Sequence, residues 1–233
     1  MNSITKISNF NASELTVSEP KVNKYGGKKV YINLGEDKKG IIIPTPKMRM
    51  PYDMSVYSEE GKSDKFSITL SFRGMDEDAK IKTFYKKLSD FDNKIKSFAL
   101  KNNKKWFKAN HKKSVINAIY SPTIKPCKDK DGELSDKFPP TIKAKLLTNN
   151  DGQFSCETYN DSGELVEDLK SVLGKGAHVR ALIKCGGIWF AGGKFGVSWY
   201  VEQMKVTPNK TLKGKCYIED SDDEGEDETN VTM

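Results

Sequence analysis

The sequence predicts a mainly β fold with one long helix, on three observations. Residues 176–206 and 65–73 alternate apolar with polar positions, the period of two that half-buried strands require. Residues 76–100 instead repeat apolar positions every three or four, the period of an amphipathic helix. Glycine-rich turn sequences such as Gly35–Gly40, Asp131-Gly132 and Asn149–Gly152 punctuate the strands.

The clearest strand signal lies in 176–206. Val179, Ala181, Ile183 and Cys185 fall on one side, and His178, Arg180, Leu182 and Lys184 on the other. Gly186-Gly187 and Gly192-Gly193 offer the positive-φ conformations that reversals need, so the stretch reads as consecutive short antiparallel strands. In the last of them Phe195, Val197, Trp199 and Val201 face inward, and Gly196, Ser198, Tyr200 and Glu202 outward.

In chain order, residues 1–27 are polar and aperiodic and read as a flexible arm. Residues 28–34 form a strand with Val30, Ile32 and Leu34 inward and Lys29, Tyr31 and Asn33 outward, and 41–43 return as its hairpin partner. Pro44, Pro46 and Pro51 confine the next segment to an edge or crossing position, where Lys47, Arg49 and Tyr52 project. The helix over 76–100 buries Phe84, Leu88, Phe91 and Ile95. A lysine-rich loop follows with Trp106, flanked by Lys104 and Lys105, either exposed or plugging the core. Residues 121–140 read as an excursion, 141–148 and 153–159 as strands, and 164–173 as a short helix capped by Ser162. Strand, strand, short helix, strand, strand is the closing half of an OB-fold, a five-stranded Greek-key barrel, here with the long helix inserted. One domain over 28–218 is expected, followed by a disordered acidic tail, 219–233.

At 233 residues, with 36% hydrophobic and 30% charged, the chain can bury a substantial core. It has no run of about 18 apolar residues to span a membrane. The first residues lack the apolar segment of a secretory signal, so an intracellular protein is expected. Cys127, Cys156, Cys185 and Cys216 are widely spaced, without a CxxC pair and with only two histidines, so reduced thiols and no metal or cofactor are expected.

The net charge of +7 is divided unevenly. Glu219, Asp220, Asp222, Asp223, Glu224, Glu226, Asp227 and Glu228 carry eight negative charges, which leaves +15 on residues 1–218. A body of that charge attracts polyanions, and a tail of that composition cannot bury enough surface to fold. The outward strand positions collect cations and rings with few acids between them. Unpaired nucleic acid needs both, cations for phosphates and flat rings for bases. The candidate contacts are Lys29, Tyr31, Lys47, Arg49, Tyr52, Lys104, Lys105, Trp106, Lys143, Lys145, Arg180, Lys184, Trp189, Phe190, Lys194 and Tyr200. Trp199 is assigned to the core by parity. No phosphate loop, HExxH, DxD or GxSxG motif is present, so an enzyme is not expected.

VYINLGEDKKGIIIPTPKMRMPYDMSVY, KFSITLSF with its following helix, and GAHVRALIKCGGIWFAGGKFGVSWYVEQMKV with the acidic tail together resemble the single-stranded DNA-binding proteins of nucleocytoplasmic large DNA viruses. That family is similar to the acidic-tailed OB-fold replication proteins of certain tailed phages. The resemblance implies sequence-independent single-stranded DNA binding in viral replication, recombination or repair, at replication sites in the host cytoplasm or nucleus. It also implies a homodimer and a tail that recruits polymerase or other replisome proteins. The phage proteins end on an aromatic residue, whereas this tail ends at Thr229–Met233. A duplex-DNA, virion or chromatin-associated interaction protein and an RNA-binding OB protein are the alternatives.

Overall fold

The computed structural model describes residues 4–22 and 26–209; Cys216 and the acids of 219–228 lie outside the described residues. Short strands come first: β1 (Leu15–Val17), β2 (Lys21–Val22), β3 (Lys28–Val30) and β4 (Ile32–Leu34). β5 (Ile42–Pro44), β6 (Met48–Arg49) and β7 (Ser55–Tyr57) lead to β8 (Lys65–Ser71). Three helices follow, α1 (Ala79–Lys101), α2 (Asn103–Phe107) and α3 (Lys113–Ile119). After them come β9 (Tyr120–Ser121), β10 (Ile124–Lys125), β11 (Thr141–Leu146), β12 (Glu157–Tyr159), α4 (Leu169–Val172), β13 (His178–Ala191) and β14 (Lys194–Thr207).

β13 and β14 are the frame. They pair antiparallel from His178↔Thr207 to Ala191↔Lys194. Pairing also runs from β11 to β8 over six residues, from β8 to β6 at Ser71↔Arg49, from β6 to β13 at Arg49↔His178, and from β11 to β14, parallel, at Lys145↔Tyr200. Among the described residues the sheet has twelve strands where the sequence predicts five. Short segments that carry too few residues for a period, such as β6, β9 and β10, add to it.

Helix α1 begins where Asp78 accepts hydrogen bonds from the backbone N–H groups of Lys80 and Ile81, satisfying two donors that the first turn leaves free. Its apolar stripe, including Phe84, Leu88, Phe91 and Ile95, is buried. Phe84 stacks on Phe72 beyond β8, and Phe91 meets Trp199 of β14, with ring centroids 5.9 and 5.4 Å apart. Each such side chain contributes about 1.5–3 kcal/mol by leaving water. Asp92 is buried on the same helix. Its carboxylate accepts hydrogen bonds from the Tyr120 hydroxyl (2.6 Å) and the backbone N–H groups of Thr123 and Ile124, and so fastens residues 120–124 to the helix.

Several expectations are corrected. Residues 4–22 are built into the fold: Phe10 and Leu15 are buried, and β1 pairs with β4. The hairpin over 28–43 stops at the Leu34↔Lys39 bridge, because β5 pairs with β13 instead. Gly186-Gly187 makes a register shift inside one 14-residue strand where a reversal is expected. The loop after α1 contains two further helices. The short helix starts at its cap Asp168 and not at Ser162, since 162–167 form a turn and an isolated bridge, Tyr159↔Leu165. Cys127, Cys156 and Cys185 are free thiols. Among the described residues no helix is long and apolar enough to cross a membrane.

Candidate functional site

The outward positions of β11, β13 and β14 converge near the β13–β14 hairpin. Lys145 lies beside Tyr200 in the parallel pair, and Tyr200 lies opposite Lys184. Trp189 is opposite Gly196 on one side and Lys29 of β3 on the other. The double glycine lets these rows meet. A Cβ at Gly187, which has φ +92°, would stand 2.6 Å from the Val30 carbonyl oxygen, so only glycine brings β13 this close to β3.

Two adjoining clefts result, sharing Lys145, Trp189 and Ser198. Lys125, Lys143 and Ser121 line the first, and Lys28, Lys29, Gly186 and Tyr200 the second. Among the described residues neither cleft is lined by an acidic one. Trp189 and Tyr200 are half-buried, each ring resting over a glycine of the neighbouring strand, Gly196 and Gly186 respectively. Trp189 thereby stands between the clefts. The Lys145 ammonium reaches the Ser198 hydroxyl at 3.3 Å and stands 5.8 Å from the Tyr200 ring centre; the Lys125 ammonium donates to the Ser121 hydroxyl at 2.6 Å.

The electrostatics are one-sided. Burial, then the neighbouring Lys143 and Lys194 charges, hold the Lys125 ammonium below its ordinary pKa, against the pull of Asp92. Burial and Lys108 do the same to Lys28. Such a cluster is relieved by an anion placed among its members, and the half-buried rings offer flat apolar faces beside it.

Of the expected contacts, Lys29, Lys143, Lys145, Trp189 and Tyr200 come together here, with Lys194 near Lys125. Tyr31 is exposed at the β3 side, with the ammonium groups of Lys29 and Lys21 5.0 and 5.5 Å from its ring centre. Two rings are corrected. Trp106 is fully buried, packed edge-on against Phe190. Phe190 shares the inward parity of its partner Phe195 and is held by Trp106, Phe107, Phe195 and the Lys28 ammonium, so it lines the cleft without offering a free face. Lys184 is ion-paired with Glu202 at 3.1 Å, and Lys105 with Glu19 at 2.7 Å; Lys104 is exposed on α2. Lys47, Arg49, Tyr52 and Arg180 line neither cleft; Arg49 and Arg180 lie toward the far end of β13. The tail acids lie outside the described residues.

Sequence reasoning missed Lys28, Lys125 and Ser121. Parity places Lys28 inward with Val30, but its stem reaches past Phe190 so that the ammonium donates to the Trp106 carbonyl. Lys125 and Ser121 sit in two-residue strands, too short to show alternation.

Comparison with curated proteins finds no match. Among solved structures, the chain is similar to the single-stranded DNA-binding protein from bacteriophage Enc34 in complex with ssDNA. That similarity has 18% identity and a TM-score of 0.47, covering 82% of this chain and 96% of that one. It is also similar to gp2.5, a single-stranded DNA binding protein encoded by bacteriophage T7, at 10% identity and a TM-score of 0.46, covering 76% of this chain and 98% of that one. Residues 70–219, more than half of the chain, match the family of unknown function DUF5871, and the chain belongs to that family.

Proposed function

We propose that the protein binds single-stranded DNA without sequence preference, through the paired clefts at the β13–β14 hairpin. The observation that carries this reading is the placement of two half-buried rings, Trp189 and Tyr200, among Lys28, Lys29, Lys125, Lys143 and Lys145 with no acid among the described residues of the lining. Phosphates exchange their condensed counterions for the lysines, and unpaired bases stack on the rings, each stack contributing about 1–3 kcal/mol. The clefts lie between strands and a hairpin and present no helix for a major groove, which favours a single strand over a duplex.

The run of pairings from β11 through β8, β6, β13 and β14 back to β11 supports an OB-type reading of the fold, with α1 inserted between the second and third strands of the barrel. In this reading the acidic tail competes with DNA for the lysines at high effective concentration and recruits replication proteins, the protein acts as a homodimer, and its place is the replication, recombination or repair of viral DNA.

Titration with oligo-dT, followed by tryptophan fluorescence, tests the reading. Quenching that a duplex of equal length does not compete away supports it; an unchanged signal, or equal competition by duplex, sinks it. Competition by oligo-U equal to that of oligo-dT would move the assignment to RNA.

A further inference from the structure

A second cationic surface lies at the other end of the β13–β14 ribbon. Arg180 and Lys205 stand directly opposite each other, and Tyr159 of β12 lies beside Lys205. Like charges in facing positions of a sheet destabilise it unless something neutralises them. Arg180 and Lys205 enter no ion pair among the described residues. The nearby acids are already engaged by neutral groups: Glu157 accepts from the Tyr159 hydroxyl and the Gln203 amide, and Asp161 from the Thr207 hydroxyl.

Beside these two cations lies a slot whose floor is apolar, formed by Pro44 and Leu182, which face each other with the same parity as Arg180. One row further along, His178 lies opposite Arg49, and the charges of Lys47 and Arg49 both act on it. The slot shares no lining residue with the two clefts at the hairpin. Arg180 and Trp189 stand nine positions apart on β13, at most about 30 Å at the rise of an extended strand.

We infer that this slot is a second single-stranded DNA subsite, in which Arg180 and Lys205 hold phosphates and the apolar floor and Tyr159 receive a base. The inference rests on the proposed function of the hairpin clefts. A strand long enough to leave those clefts engages the slot as well, and a short one does not. Charge complementarity selects this occupant: Arg180 and Lys205 on the rim outweigh the Glu157 carboxylate bonded to Tyr159 and Gln203, and the floor matches the face of a base.

The test uses the full chain and oligo-dT of about 8 and about 30 nucleotides, within and beyond the range of one OB-type site. Binding is read by anisotropy, and occupancy of the hairpin clefts by Trp189 quenching. In the variant carrying Arg180→Gln and Lys205→Gln, the short oligonucleotide should bind as in the wild type. The long one should lose at least about tenfold in affinity, and its salt slope should fall by about 1.4, or about 0.7 per lost phosphate contact. An unchanged affinity for the long strand, or equal loss for both lengths, overturns the inference. A melting curve confirms that the variant is folded, and Arg180→Lys with Lys205 intact should restore the long-strand affinity. If Lys143→Ala with Lys145→Ala leaves short-strand binding and quenching unchanged, it is the hairpin-cleft reading that has failed, whatever the slot variant does.

Discussion

The Tyr200 ring lies across Gly186 of the neighbouring strand, so close that a Cβ there would overlap the ring. Glycine at this position therefore makes the seat on which the ring rests, and the outward face of the ring is held among Lys29, Lys145 and Trp189. Gly186→Ala should lift Tyr200 from its seat and weaken oligo-dT binding by up to the about 1–3 kcal/mol of one base stack. Tyr200→Ala should cost a similar amount. Anisotropy titrations of both variants check this, and the two losses should not add, because both remove one platform.

The three tryptophans give a built-in assignment of the fluorescence signal. Trp106 and Trp199 are buried, and Trp199 is held further by its indole N–H donating to the Thr123 hydroxyl at 3.3 Å; Trp189 alone is partly open. Trp189→Phe should abolish oligonucleotide quenching while leaving the melting temperature near the wild-type value. Trp106→Phe should keep the quench and lower stability by opening a cavity in the packed ring cluster.

The length of each sequence signal decides how much of the fold and of the site the sequence shows. The strands over 178–191 and 194–207 and the helix from 79 to 101 are long enough for a period to declare itself, and the inward assignment of Trp199 follows from parity alone. Parity also selects Lys143, Lys145 and Tyr200. It does not carry across the double glycine: the register shift there places Trp189 outward and Phe190 inward, a distinction that composition between two glycine pairs does not contain. Nor does it reach two-residue strands, so the sequence does not show the wall made by Ser121 and Lys125, the packed arm around Phe10 or the buried Asp92. A charged residue on a helix otherwise lined with lysines reads as surface. Its burial is decided by the three donors of a segment thirty residues away.

That segment depends on Asp92 for its place. Asp92 is buried, and desolvation raises its pKa, opposed by the hydrogen bonds from Tyr120, Thr123 and Ile124. Asn keeps the shape but loses the charge and turns one acceptor oxygen into an NH2, so a site that now accepts from Tyr120 and Thr123, or from Thr123 and Ile124, becomes a donor. Asp92→Asn should therefore lower stability by about 1–3 kcal/mol, measured by denaturant unfolding. Residues 120–125 also form one wall of the first cleft, so oligo-dT affinity should fall further than in a variant of equal stability loss elsewhere in the core.

The lysines of the cleft predict a salt dependence that can be divided among them. Each phosphate contact on a single strand contributes about 0.7 to the slope of log affinity against log salt. Lys143→Ala and Lys145→Ala should each reduce that slope by about this amount and weaken binding alike across sequences. Lys184→Ala should change it less, since its ammonium is already paired with Glu202. Titrations at three or more salt concentrations separate the cases.

Acidity probes the far end of the ribbon. Burial, then the charges of Lys47 and Arg49, hold the His178 imidazole below its ordinary pKa, and Thr207 faces it from β14. A histidine with a depressed folded-state pKa favours folding above the unfolded value of about 6.5, and that contribution is lost as pH falls through the folded pKa. A phosphate brought between His178, Lys47 and Arg49 reverses the local field and raises the pKa, so binding takes up a proton. Affinity for a long oligonucleotide should therefore increase as pH falls from about 7.5 toward 6, and His178→Gln should flatten the increase. A short oligonucleotide confined to the hairpin clefts should show no such difference between wild type and variant. Equal pH profiles for wild type and His178→Gln with the long strand would place His178 outside the path of the DNA.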